Sequence, residues 1–359
     1  VLTRNACAAG HKSMYNRQKG YPSRDFLREL DFRLENLNEE KLSGAVLPPG
    51  SRAGGLTEEM AAELGLTKGT AVATGILDAH VNAFAAGILQ PGQMLSILGT
   101  SGCHIILGKS KVPVPGICGA VEDDVLPGFT GYETGQVCYG EHFEWLSERF
   151  VPPEYHQEMK KRSLTMHGLL SEKASKLKPG ESGLLALDWW NGNRSVLIDS
   201  NLSGLLVGLT LQTRAEDIYR ALLEATAFGV RLIVENNTQN GLKMESMCAM
   251  GGISRKNSLA IQILADVLRM TIRVPATTQG SALGSAILAA VAAGSAKGGY
   301  DSLFEAIKQM CVKEDAYFYP NEKHINTYDS LYHEYQQLYS YFGCGENDVM
   351  KKLKEIKKS

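Results

Sequence analysis

The feature that most constrains this fold is an apolar run that ends on two consecutive glycines. Ser246–Met250 reads as a strand, Gly251 and Gly252 follow it, and a helix is expected over residues 256–270. Two glycines at such a junction let backbone come close to a neighbour where side chains would intrude. The pattern recurs along the chain. Residues 70–77 read as a strand passing straight into a helix over 78–89, and a strand over 271–274 precedes a small-residue helix over 281–293. Gln93–Leu98 and residues 103–107 read as strands joined by the turn Gly99-Thr100-Ser101-Gly102, and residues 184–187 as a short strand. A long helix is expected over 214–235, with Ile218, Leu222, Phe228 and Leu232 on one face and the spacing of a capping box at Thr213 and Glu216. Strands feeding helices in this order point to an α/β fold. Residues 320–342 read as helical, and Tyr328, Tyr332, Tyr335 and Tyr339 fall at three- and four-residue steps, a stripe that suits packing better than a cofactor.

At 359 residues the chain exceeds what one core ordinarily holds, so two domains are expected. The hydrophobic fraction is 44%, the charged fraction 21% and the formal net charge −2, so nothing draws the molecule to nucleic acid or an anionic membrane. The five lysines from Lys351 to Lys358 read as a solvated helix end. Seven scattered cysteines, odd in number and without a C-x-x-C pair, argue against a disulfide framework or a zinc site and for a reducing compartment. No apolar stretch approaches the roughly 20 residues that span a bilayer, and residues 1–10 lack a signal-peptide core. A cytoplasmic location is expected.

Four places can carry chemistry. Asp78 stands where a strand turns into a helix, the usual address of an active site in α/β proteins. A carboxylate there can take the proton of an attacking hydroxyl, or it can simply cap its helix; His80, two residues on, reads as structural. The turn 99–102 offers backbone N–H groups and hydroxyls to phosphate oxygens, or is an ordinary hairpin whose glycines supply positive φ. Gly251-Gly252-Ile-Ser-Arg-Lys256-Asn257 combines close backbone approach with a helix N-terminus that favours an anion, or serves tight strand–helix packing; it is not G-x-G-x-x-G. Finally, Lys12 can orient substrate oxygens and Glu133 can accept hydroxyl hydrogens, or both are surface residues.

All four occur in one order, and in that order the sequence resembles the FGGY carbohydrate kinases of the actin-like ATPase superfamily. The segments Cys7-Ala-Ala-Gly-His-Lys12, Gly131-Tyr-Glu133-Thr-Gly-Gln136 and Leu187-Asp-Trp-Trp-Asn-Gly-Asn-Arg194 resemble the ribulokinase branch, the last being the most specific. The resemblance implies an actin-like ATPase (ribonuclease H-like) two-domain fold and ATP-dependent phosphorylation of a ketopentose, with L-ribulose the best fit. It implies that Asp78 is the catalytic base, that Lys12, Asp78 and Glu133 bind the sugar, and that Gly99 and Thr100 lie near the terminal phosphates. Gly251, Gly252, Lys256 and Asn257 would lie near the nucleoside, ATP and Mg²⁺ would be the cofactors, no residue is assigned as a metal ligand, and a homodimer is the suggested assembly.

The sequence departs from the family in one respect: no Asp-x-Gly-Thr phosphate loop is found, and the chain opens at Val1 in what resembles the middle of the first domain. Residues 1–90 are therefore expected to be the end of the sugar-binding domain, only partly present, 91–345 the nucleotide-binding domain and 346–359 a basic tail. A chain of this kind is expected to lack normal turnover alone. Two other readings are a kinase of the same family for xylulose or glycerol, and a non-catalytic actin-like nucleotide-binding module.

Overall fold

The computed structural model describes residues 2–311 and 314–358, so Val1 and Ser359, the outer limits of the expected domains, lie outside it. A seven-stranded mixed sheet organises the chain. Its strands are β1 (Gln93–Leu98), β2 (Gly102–Gly108), β3 (Gly119–Glu122), β4 (Thr130–Gln136), β5 (Ser246–Met250), β6 (Ile272–Val274) and β7 (Ala316–Phe318). They lie in the order β7-β6-β5-β1-β2-β4-β3. The chain first builds an antiparallel meander, β1 to β2 to β4 to β3, and then adds β5 and β6 parallel to β1 on its other side. Parallel neighbours need crossover connections, and the expected strand–helix alternation supplies them.

Residues alternate between the two faces of each strand, so each strand feeds two apolar layers. Met94, Leu98, Ile106, Tyr132, Met247 and Ala249 join one buried cluster, and Leu95, Ile105, Leu107, Cys248 and Met250 join the other. The helices used below are α1 (Ala6–Ser13), α2 (Asp78–Ala85), α3 (Glu141–Arg149), α4 (Met166–Ala174), α5 (Ala215–Gln239), α6 (Gly252–Lys256), α7 (Ser258–Leu268), α8 (Gly280–Ala293), α9 (Leu303–Met310) and α10 (Glu322–Gly343). Helices α5, α7 and α10 cover the first face, and α2, α8 and α9 the second. Phe84 of α2 is fully buried there, a placement worth about 1.5–3 kcal/mol. The expected boundary at 90/91 thus runs between α2 and β1, which share one apolar cluster.

Local departures from the expected elements have local causes. The strand expected over 70–77 is only Ala71–Ala73; residues 74–77 leave the ladder after the Thr74 N–H turns to the Ser51 carbonyl, so Asp78 follows a loop rather than the strand itself. The cap of α5 sits one residue later than expected. Asp217 accepts the Arg214 N–H at 2.7 Å, Thr213 is occupied by the Thr210 N–H, and Glu216 accepts from the Tyr155 hydroxyl. The helix expected over 256–270 breaks at Asn257, whose side chain caps Ala260 and ends α6. The tyrosine stripe of α10 is buried against Phe228, and its hydroxyls are used: Tyr332 donates to Glu235 and Tyr335 to Asp188. Among the described residues no helix is long and apolar enough to cross a membrane.

Two buried histidines make stability depend on pH. His104 meets the Ser96 hydroxyl at 3.0 Å, and His142 meets Cys138 and Thr226 at 3.2 Å each. Burial drives their pKa values down to about 4 and about 3. An unfolded histidine titrates near 6.5, so each native imidazole contributes stability that is complete above that pH and is lost as pH falls toward the folded value. From pH 7 to 5 the stability of the wild type, measured by denaturant unfolding, should therefore fall by about 2 kcal/mol more than that of His142→Gln. Parallel curves would mean that native His142 takes up its proton as readily as the unfolded chain.

Candidate active site

The turn between β1 and β2 lies at the centre of the site. The Gly99 N–H bonds the Ser101 carbonyl, and the Thr100 carbonyl accepts the N–H groups of Tyr139 and Gly140, both at 2.9 Å. The turn is thereby fixed to the start of α3. Neither Gly99 nor Gly102 adopts positive φ, so backbone conformation does not explain their presence. A Cβ on Gly102 would lie 2.9 Å from the Tyr139 ring, a packing reason. A Cβ on Gly99 would meet nothing nearer than 3.9 Å, so the protein itself leaves that space open.

On one side of the turn opens a cavity of about 490 Å³ that brings together Lys12, Asp78 and Glu133. Asp78 is the first residue of α2; one carboxylate oxygen accepts the Ala79 N–H at 2.8 Å, while the N-cap position belongs to Leu77, which makes no side-chain cap. The helix N-terminus favours negative charge at this point. Its backbone carbonyl receives Asn82, which also donates to Ser281 of α8 at 3.1 Å. Glu133 projects from the middle of β4, only 6% exposed. It accepts a hydrogen bond from Arg194, which lines the same cavity and also bonds Cys118 through Nε at 3.0 Å.

Beneath Glu133 lies a layer of buried polar groups. His11 Nδ1 and His80 Nε2 stand 3.6 and 3.9 Å from Glu133, and His11 Nε2 and His80 Nε2 stand 3.4 and 3.3 Å from Asp124. Burial raises the Asp124 carboxyl, but the two histidines outweigh it and hold it well below the usual carboxylate range. Burial likewise pulls His80 down, and the charges of Asp124 and Glu133 reverse that and raise it.

On the other side of the turn a second cavity, about 460 Å³, is lined by Gly99, Thr100, Phe143, Tyr219, Gly252, Lys256 and Asn257 among others. Its volume and mixed aromatic and polar lining suit a small-molecule ligand. Asn257 is a wall rather than a free hand: it accepts from Ser171 and from the Ala260 N–H and donates to Tyr219. The two glycines of the junction divide their work. Gly251 has φ +100° and its Cβ would lie 2.5 Å from the Leu98 carbonyl oxygen, so tight packing accounts for it, and it lines a neighbouring cavity with Gly252 instead of this one. A Cβ on Gly252 would meet nothing within 4 Å, although Gly252 lines both cavities.

Arg194, His11, His80 and Asp124 were not among the expected site residues. Arg194 closes the segment Leu187–Arg194, which threads from the core to both cavities. Asp188 lies buried between Gln136 and Tyr335, where burial pushes its carboxyl up to about 6. Asn191 donates to Glu141 at the second cavity, and Arg194 reaches Glu133 at the first.

Comparison with known proteins gives these cavities a context. The sequence model for the C-terminal domain of the FGGY family of carbohydrate kinases matches residues 94–293. Over 354 residues the chain is 51% identical to a ribulokinase from Bacillus licheniformis, an alignment covering 99% of this chain and 64% of that protein. A ribulokinase from Shouchella clausii is 49% identical, with 99% and 64% covered. The chain thus spans about two-thirds at most, 64%, of the length of these relatives. Among solved structures, a xylulose kinase from Rhodospirillum rubrum superposes with a TM-score of 0.70 at 27% identity, covering 82% of this chain and 56% of that one. The ligand-bound xylulose kinase from Lactobacillus acidophilus gives 0.78 at 19% identity, covering 94% and 64%, a likeness of fold alone.

Proposed function

Because the chain belongs to the FGGY family of carbohydrate kinases, we propose that its two cavities serve phosphoryl transfer from ATP to a ketopentose, with L-ribulose as the substrate and L-ribulose 5-phosphate as the product. The observation that carries this reading is that a cavity lined by two carboxylates and a lysine shares Gly99 and Thr100 with a nucleoside-sized cavity. A phosphate chain laid along that turn would reach from one cavity to the other. A soluble cytoplasmic enzyme of sugar catabolism is the setting this implies.

In this mechanism Lys12 and Glu133 hold the sugar hydroxyls, with Arg194 keeping the Glu133 carboxylate in place. Asp78 faces the attacking hydroxyl and accepts its proton as the oxygen bonds to the γ-phosphorus. The open backbone at Gly99 lets the transferring phosphate approach, and Gly252 at the N-terminus of α6 does the same for the rest of the nucleotide. The residues fit a metal-bound nucleotide to the extent that Asp78 places a carboxylate at the phosphate turn. Mg²⁺, when bound, neutralises phosphate oxygens. Apart from that proton transfer, positioning and electrostatics are the chemistry required from the protein.

Calorimetric titration of the chain with MgADP, and then with a panel of sugars, tests this reading. Saturable MgADP binding is expected, with L-ribulose bound more tightly than xylulose or glycerol and weakened at least about tenfold by Glu133→Gln. Preference for xylulose or glycerol would transfer the chain to another branch of the family. Absence of nucleotide binding by the folded chain would favour a non-catalytic module.

A further inference from the structure

Cys7, His11, His80 and Asp124 place one ligand-type atom each within 4.8 Å of one another, from α1, α2 and the loop after β3. We propose that these four side chains form a zinc(II) site beneath the sugar cavity.

The residue types are those of a mixed zinc site: one thiolate, two imidazoles and one carboxylate, which together balance the charge of the ion. A tetrahedron with ordinary zinc–ligand distances has edges of about 3.3–3.6 Å. The His11–Asp124 and His80–Asp124 separations, 3.4 and 3.3 Å, already match such edges. The widest pair would draw in by about 1 Å. Cys7 and His11 are four residues apart on one helix and so share a face.

Two further observations point the same way. His80 is 1% exposed and Asp124 fully buried, yet His80 Nε2 has only its 3.3 Å ion pair with Asp124, and His80 Nδ1 and Asp124 Oδ1 have no hydrogen-bond partner among the described residues. Buried polar atoms so sparsely partnered are costly, and an ion between His80 Nε2 and the Asp124 carboxylate would supply the missing coordination on that side. The surrounding backbone is also cut away for these side chains. A Cβ on Gly131 would fall 1.9 Å from Asp124 Oδ2, and one on Gly119 would fall 2.8 Å from His11 Nδ1. Beyond the ligands, His11 turns its other nitrogen toward Glu133 at 3.6 Å, the carboxylate–histidine–metal arrangement that orients zinc-bound imidazoles. Binding would displace the Cys7 thiol proton to solvent and fix the layer on which Glu133 rests.

The test needs neither nucleotide nor sugar, so it stands apart from the kinase reading. The chelator-stripped chain is titrated with Zn²⁺ against a competing chromophoric chelator, and separately with Co²⁺ while the near-ultraviolet thiolate-to-cobalt charge-transfer band is followed. One equivalent of zinc is expected with a Kd below about 100 nM. Cys7→Ser and Asp124→Asn should each weaken it at least about tenfold, and Cys7→Ser should abolish the cobalt band. Cys344→Ser, at an exposed thiol, should change neither. If Cys7→Ser does not fold, the cobalt band of the wild type and the zinc affinity of His80→Gln decide the matter. Substoichiometric zinc, a missing thiolate band, or affinity untouched by these substitutions would overturn the site and leave the four residues as an ion-pair network.

Discussion

In a protein spanning the full length of the ribulokinase relatives, Asp78→Asn is expected to lower kcat for ketopentose phosphorylation by about 10²–10⁴-fold, the usual contribution of a positioned general base, with KM changed far less. The substitution keeps the shape of the side chain and its bond to the Ala79 N–H, so α2 should form as before. What it removes is the second carboxylate oxygen's capacity to take a proton beside the phosphate turn. The cavity brings Lys12 and Glu133 together and offers a second carboxylate, Asp78, at the start of a helix, in a lining it shares with Gly99 and Thr100. Phosphoryl transfer to the sugar would be measured in multiple and single turnovers, with MgADP titration on the same samples. Unchanged single-turnover transfer would remove Asp78 from the chemistry, whereas loss of MgADP binding in the variant would mean that the substitution disturbs the turn itself.

The second large effect separates two adjacent glycines. Gly251→Ala should destabilise the fold by about 3 kcal/mol, because φ +100° is strained for alanine and the new methyl would press on the Leu98 carbonyl oxygen at 2.5 Å. Gly252→Val should leave stability within about 1 kcal/mol, since its Cβ meets nothing and its φ is not positive, yet raise the Kd for MgADP more than about tenfold. Urea unfolding and calorimetry on both variants make the comparison. Equal losses of stability would show that the two glycines share one packing role, and intact MgADP binding by Gly252→Val would move the nucleotide away from α6.

Much of this architecture is legible in the sequence where the information is local. Short apolar runs mark the strands, and Gly251 and Gly252 mark the junction at which β5 turns into α6. The tyrosines of α10 are readable as packing for the same reason. Boundaries set by competition between neighbours are less legible: Glu216 and Asp217 both suit a capping role, and only the Tyr155 contact shows which is otherwise engaged. The break at Asn257 depends on Ser171 and Tyr219, distant in sequence. The candidate site divides in the same way. Lys12, Asp78, Glu133 and the glycine turns stand in recognisable short segments. Asp124 has no local signal, because what distinguishes it is the convergence of His11 and His80 from two helices. Cysteine spacing argues against a zinc site held by paired cysteines, but it is blind to Cys7, whose partners in the proposed site are two histidines and an aspartate.

The segment that runs from Trp190 to Arg194 touches Glu141 at one cavity and Glu133 at the other. A strap fastened at both ends would link binding in the two cavities thermodynamically: a ligand that shifted it in one cavity would change the free energy of binding in the other. Linkage is reciprocal, so the factor by which nucleotide changes sugar affinity must equal the factor by which sugar changes nucleotide affinity. Loosening the strap would then lower both factors together, even at concentrations where each ligand alone still binds.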